Sequence, residues 1–144
     1  MTHPATVSLE QHPETGLAGT MTTPSVFQQI PTDQWVADNA LVFAIRDAHP
    51  VSPGHTLVIP KRAVPSWFAA TADEIAAMTA LVTVVRAQLD EEFRPDGYNL
   101  GFNDGAAAGQ TVFHAHTHVI PRFDGDVPDP TGGVRHAVIG HGRY

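Results

Sequence analysis

The chain predicts an α+β fold: an antiparallel sheet with one long helix packed on one of its faces. Two observations carry this. A single segment after Thr71 has helical periodicity with its own start and stop signals. Short β-rich runs lie on both sides of it, and strands gathered around one helix favour an antiparallel sheet over a βαβ alternation. No internal repeat or low-complexity tract interrupts the pattern.

The elements follow in order. Residues 1–24 carry Pro4, Pro13 and Pro24, small residues near Gly16–Gly19 and many Thr, and so predict a flexible N-terminal extension. Val26–Ile30 is a short helical turn ended by Pro31. Trp35-Val36 starts a strand, Asp38-Asn39 turns it, and Ala40–Arg46 completes a hairpin. His55–Pro60 is an apolar, β-branched strand bounded by Pro53-Gly54 and Pro60.

The helix opens on Thr71-Ala-Asp-Glu74, a capping-box pattern with acidic residues in the positive first turn. Ile75, Met78, Leu81, Val82, Val85 and Leu89 then recur on one face until Pro95 and Gly97 stop the run. Tyr98–Phe102 predicts a strand, a small-residue loop follows, and Thr111–Pro121 returns antiparallel. Residues 124–144 are turn-rich and read as a C-terminal tail with no clear local fold.

Composition bounds the function. The 144 residues suit one domain, and 42% hydrophobic with 16% charged residues is globular usage. No apolar run approaches the ~20 residues of a membrane helix. There is no Cys, so no disulfide, and the start lacks a signal-like basic and apolar region, which makes a cytoplasmic location the expectation. A net charge of −7 excludes gathering nucleic acid by bulk attraction but leaves room for a small nucleotide. Lys61, Arg62 and Arg122 flank the strands of interest and are expected to offset the acidic background locally.

Chemistry concentrates in Phe113-His-Ala-His-Thr-His-Val-Ile-Pro-Arg122. On a strand, His114, His116 and His118 would share one face at roughly 7 Å intervals. Packing alone rarely needs three imidazoles in a row, whereas metal binding and proton or nucleophilic chemistry both use them. A metal could join two neighbouring rings only, because i and i+4 lie about 13 Å apart. Further ligands would then come from His49, His55, Asp104 or Asp124. Just upstream, Asn103-Asp-Gly-Ala-Ala-Ala-Gly-Gln-Thr111 is a small-residue turn whose backbone can approach a ligand closely. Beside a row of imidazoles, it suggests an anion held next to a nucleophile or acid.

The stretch Gly109-Gln-Thr-Val-Phe-His-Ala-His-Thr-His-Val-Ile-Pro-Arg122 resembles the signature of the histidine-triad (HIT) family of nucleotide hydrolases and transferases. A second block, Asp47-Ala-His-Pro-Val-Ser-Pro-Gly-His55-Thr-Leu-Val-Ile-Pro-Lys-Arg62, is similar to the family's Pro-Gly-His strand. The likeness covers about residues 25–123, taken as the HIT domain. It implies an antiparallel sheet of about five strands with one long helix, in a homodimer.

The resemblance also implies an activity: cleavage at the α-phosphate of a purine nucleotide conjugate, either a dinucleoside polyphosphate or a nucleoside phosphoramidate, through a nucleotidyl-histidine. His116 matches the family nucleophile, oriented by the backbone carbonyl of His114. His118 and His55 match positions around the phosphate and leaving group. Gln110 and Thr111 match phosphate contacts, Asn103 a ribose or phosphate contact, and Asp47 a ribose contact. Val26, Phe27 and Ile45 are expected to line the base pocket. No metal is required in the protein, and magnesium would arrive on a polyphosphate substrate.

Relatives with a zinc-binding cysteine pair carry it near Ser25–Gln28, where this chain has none. Phe113 and the Pro121-Arg122 ending lean toward the diadenosine polyphosphate branch, and Arg135 or His136 is expected to influence selectivity. A metal-dependent hydrolase, a non-catalytic nucleotide sensor and transfer to phosphate instead of water stand as alternatives.

Overall fold

The computed structural model describes residues 23–144, together with the backbone of two short strands, β1 (Thr15–Gly16) and β2 (Thr20–Met21), which pair antiparallel. The flexibility expected of residues 1–24 otherwise lies outside the described residues. The main sheet contains β3 (Ala37–Asp38), β4 (Val42–Arg46), β5 (Thr56–Pro60), β6 (Gly97–Gly101) and β7 (Thr117–Arg122). It is antiparallel throughout, in the order β3-β4-β5-β7-β6, as expected of an α+β fold with about five strands.

The single long helix, α1 (Ala72–Phe93), lies on one face. Its start is the capping box read from the sequence: Glu74 N–H donates to Thr71 Oγ1 at 3.1 Å and Thr71 N–H to Glu74 Oε1 at 2.9 Å. Arg94 ends it in the left-handed conformation, with φ of 50°. Met78, Leu81, Val85 and Leu89 are buried against Val42, Ala44, Val58 and Val119, while Ile75 and Val82 sit half-buried at the edge of that stripe. Glu74 is also buried, and Arg62 satisfies its carboxylate with contacts of 2.7 and 3.3 Å.

Alternate residues of β4 and β5 point to the other face, where Phe43, Ile45, Leu57 and Ile59 form a second cluster with Phe27. Covered on both sides, these two strands read as continuous apolar runs. The second face carries the functional groups. Ile45, Leu57 and His118 are successive register partners across β4, β5 and β7, so they form one row on it.

The histidine strand is shorter than Thr111–Pro121: regular pairing begins at Thr117. Continued past Val58 and Thr117, the β5–β7 register would oppose Ile59 to His116 and then Pro60 to Ala115, and Pro60 has no N–H to continue the ladder. Its carbonyl accepts instead from His114 Nε2 at 2.7 Å, and Ala115 N–H turns away to Val64 O at 2.7 Å. The three triad imidazoles therefore do not share one strand face. His114 is fully buried, whereas His116 and His118 are half-exposed.

The tail also differs from expectation. A 3-10 turn at Gly133–Ala137 folds residues 131–142 into a clasp, closed by His136 Nε2 to Thr131 O at 2.8 Å and Arg135 Nε to Gly142 O at 3.1 Å. The clasp packs on β6. Among the described residues, no helix is long and apolar enough to cross a membrane.

Candidate active site

A cavity of about 690 Å³ opens on the second face of the sheet. Its walls include Val26, Phe27, Ile45, Asp47, His55, Asn103, Gln110, Thr111, His116 and His118, so ten of the eleven site residues named from the sequence meet there. The eleventh, His114, lies beneath. Phe27 separates it from open space, with ring centroids 5.6 Å from His114 and 5.1 Å from His116.

Each imidazole is oriented by what one of its nitrogens touches. His116 Nδ1 lies 2.8 Å from the carbonyl oxygen of His114, and only an N–H satisfies a carbonyl there. Neutral His116 is therefore protonated on Nδ1 and keeps the lone pair of Nε2. By the same logic His114 donates Nε2–H to Pro60 O, which leaves its Nδ1 to accept from Ser25 Oγ at 2.5 Å. Ser25 Oγ in turn accepts from Phe27 N–H at 3.1 Å.

A second chain of tautomers runs through His55. Val51 N–H donates to His55 Nδ1 at 3.2 Å, which places the proton of neutral His55 on Nε2. That nitrogen lies 2.9 Å from His118 Nδ1 and 3.5 Å from Asp47 Oδ2. His118 Nδ1 is thereby an acceptor, and neutral His118 carries its proton on Nε2. The site holds one imidazole with a free lone pair, His116, beside one with a free N–H, His118, their ring centroids 5.2 Å apart.

All four rings resist protonation. Burial lowers the pKa of His55, His114 and His116 below the ordinary imidazole value, with Asp47 partly opposing it at His55 and His116. His118 is pushed down to about 4, by burial first and then by the neighbouring His116 and His55 rings. At neutral pH the cluster is uncharged, so His116 keeps its Nε2 lone pair without needing a base to free it.

The loop beneath the phosphate-sized end is braced by Gln110. Its Oε1 accepts from Gly105 N–H at 2.8 Å, and its Nε2 donates to Pro65 O at 2.8 Å and Val112 O at 3.1 Å. The amide that the resemblance offered to phosphate is thus spent on loop closure. Asn103 and Thr111 line the cavity with no hydrogen bond among the described residues. Gly105 and Gly109 take φ of 90° and 92°, as the tight turn requires.

The turn before β5 is set by packing. Gly54 has φ of 85°, and a Cβ there would lie 2.8 Å from Leu89 Cδ2 and 2.9 Å from Phe93 Cδ2. Only glycine lets this turn seat on the last turns of α1 and carry His55 into the site.

Several expectations are redirected. Among the described residues, the group close enough to share an ion is Asp47, His55 and His118, with ligand atoms within 4.8 Å; His49, Asp104 and Asp124 do not join it. Asp104 instead accepts from Ser66 Oγ at 2.7 Å and Trp67 N–H at 3.1 Å. The trio is also a poor cation cage, because Val51 N–H on Nδ1 keeps the proton of His55 on the nitrogen that would have to bind metal.

Lys61, Arg62 and Arg122 are committed to Asp38, Glu74 and Asp126, and Arg46, which also lines the main cavity, spends its guanidinium on Thr56 and Glu92. Arg135 and His136 do not line this cavity either. Two contributors escaped the sequence reading. Ser25 opens a Ser-x-x-Gln capping pattern that was visible in the sequence, and its N–H donates to Gln28 Oε1 at 3.1 Å. Val51 acts through its backbone, which leaves no residue-type signal.

Known proteins share this sequence pattern and fold. The chain is 43% identical over 77 residues to the asymmetrical bis(5'-nucleosyl)-tetraphosphatase of Schizosaccharomyces pombe, covering 54% of this chain and 42% of that one. It is 42% identical over 82 residues to the bis(5'-adenosyl)-triphosphatase of Dictyostelium discoideum, covering 57% and 55%. It spans less than two thirds of the length of either relative. The crystal structure of a HIT family protein from Bacillus anthracis superposes with a TM-score of 0.66 at 37% identity, covering 71% of this chain and 75% of that one. The HIT domain family model matches residues 28–125, more than half of the sequence, and the chain belongs to the HIT family.

Proposed function

We propose that the protein hydrolyses nucleotide conjugates at the α-phosphate through a nucleotidyl intermediate on His116. The observation that carries this is the bond from His116 Nδ1–H to the His114 carbonyl, which leaves Nε2 unprotonated on a ring that lines the cavity. The named relatives, a tetraphosphatase and a triphosphatase, support dinucleoside polyphosphates as the substrate class.

In the first step, His116 Nε2 bonds to the α-phosphorus while the bond from phosphorus to the leaving group breaks. The imidazole becomes cationic, and the His114 carbonyl accepts its Nδ1–H throughout. The N–H on His118 Nε2 stabilises negative charge growing on the leaving oxygen. With its pKa near 4, His118 is neutral and donates a hydrogen bond more readily than a proton. This suits a polyphosphate, which departs as an anion without being protonated. Water then attacks phosphorus, the bond to Nε2 breaks, and AMP and a proton are released.

Phe27 and Ile45 would hold the base and Asp47 the ribose hydroxyls; no resident metal takes part, and magnesium would come on the substrate. The open edge of β6, with Leu100 half exposed, is the surface we assign to a homodimer contact.

The test is product chromatography of diadenosine triphosphate, diadenosine tetraphosphate and an adenosine phosphoramidate, each in EDTA and in magnesium. AMP together with ADP or ATP from the dinucleotides is the expected result. Rapid acid-free quenching should capture AMP on His116. No AMP from any of the three in either buffer overturns the hydrolase reading and favours a nucleotide sensor. ADP formation from diadenosine triphosphate that requires added inorganic phosphate would instead mark a phosphorylase.

A further inference from the structure

Beyond the nucleophile the sheet face does not end. In β7 the half-buried residues alternate as His118, Ile120 and Arg122, so all three lie on the face that carries the site. A second cavity, of about 570 Å³, is lined by Ile120 and Arg122 from β7, Asn99 from β6, Ser52, and the tail residues Val127 and His136. Val51 lines both cavities, so one side chain forms their shared wall. We propose that this second cavity is a subsite for the departing nucleoside of a dinucleoside polyphosphate.

Spacing supports it. Residues two apart on a strand stand roughly 7 Å apart, so Ile120 and Arg122 lie about 7 and 13 Å beyond His118. That is the reach of a bridging polyphosphate from the attacked phosphorus to the far ribose. Both the volume and the mixed lining are those of a small-molecule site. Val51, Ile120, Phe123, Val127 and Pro130 supply apolar wall for a base.

Charge selects a neutral occupant. Arg122 is held by both oxygens of Asp126 at 2.7 Å and by Asn99 Oδ1 at 2.7 Å, and the second carboxylate of the lining, Asp129, is paired with Arg143 at 3.1 Å. With both pairs matched, the lining has no spare cation for a free phosphate, whereas a nucleoside needs none. Two polar groups stand ready for it. Ser52 Oγ is buried without a hydrogen-bond partner, and Asn99 Nδ2 donates to nothing among the described residues. The subsite rests on the proposed hydrolase reading and narrows it to substrates with two nucleosides.

The experiment compares kcat/KM for diadenosine tetraphosphate with that for adenosine phosphoramidate, whose leaving group is too small to reach the second cavity. Val127→Trp fills the cavity from the exposed tail, and Ser52→Ala removes the unpartnered hydroxyl without adding bulk. For Val127→Trp the expected result is a loss of tenfold or more on the tetraphosphate with less than a twofold change on the phosphoramidate. Ser52→Ala should lower the tetraphosphate rate alone, by a smaller factor. Equal losses on both substrates, or no loss on either, overturn the subsite while leaving the hydrolase reading intact. If the unaltered protein cleaves neither substrate, that reading fails and the subsite with it.

Discussion

His55 Nε2 lies 2.9 Å from His118 Nδ1, and through that contact a backbone amide orients a ring that lines the cavity. Val51 N–H fixes His55, His55 fixes His118, and His118 presents its remaining N–H to the cavity. Neither ring needs to be charged for the chain to hold, and a desolvated site would not keep them charged. In the proposed reaction His55 would act through His118 and not on the phosphorus, as a positioning residue.

Replacing it separates orientation from binding. His55→Phe keeps the bulk but offers His118 no donor. Turnover of diadenosine tetraphosphate should fall roughly tenfold to a hundredfold, the usual scale for losing an orienting partner, with KM little changed. Steady-state kinetics report the split, and a rise in KM alone would remove His55 from the relay.

His116→Ala should abolish nucleotidyl transfer, by on the order of 10^3-fold or more, because, of the four clustered rings, His116 alone keeps an uncommitted lone pair toward the cavity. AMP should still bind, since Phe27, Ile45 and Asp47 are untouched. Calorimetric titration with AMP beside an activity assay distinguishes the loss of the nucleophile from the loss of the pocket.

Acid should weaken both activity and stability. The folded pKa values of His55, His114, His116 and His118 lie below the ordinary imidazole value of 6.5, so the unfolded chain binds these protons more readily. Their contribution to stability is therefore fully present above pH 6.5 and declines as pH falls toward the folded values, which for His118 means toward about 4. Thermal midpoints measured between pH 7.5 and 4.5 should fall progressively. The acid limb of kcat/KM should lie below 6.5, and a limb above 7 would contradict a neutral, desolvated His116.

Ser25→Ala removes the hydroxyl that His114 Nδ1 accepts from and strands a buried nitrogen, at a cost of about 1–3 kcal/mol. Urea unfolding should show a lower midpoint at unchanged slope. Ser25→Thr keeps the hydroxyl and should restore most of the loss. If both variants match the parent, Ser25 plays no part in holding His114.

What the sequence made legible was largely local. Thr71 and Glu74 cap α1 within one turn, and the recurrence of Met78, Leu81, Val85 and Leu89 names its buried face, so the helix could be read directly. The site residues were legible through two motifs and the likeness they carry, and ten of them converge on one cavity. The length of the histidine strand was not. It depends on Pro60, remote in sequence, arriving opposite Ala115 and breaking the ladder, and no alternation within 111–121 reports that. Likewise the charges of Lys61 and Arg62 were visible, but their carboxylate partners, Asp38 and Glu74, were set by tertiary packing. The tail read as structureless because its clasp closes through backbone carbonyls, which any residue type can supply.

Gly54 gives α1 a second office. The missing side chain there is the gap through which Leu89 and Phe93 touch the turn that ends in His55. A helix whose nearer turns merely roof the sheet thus acts, at its last turn, as the stop against which a proton relay is set. Bulk added at residue 89 or 93, on the face of the sheet opposite the phosphate, would be felt as a misdirected N–H on His118.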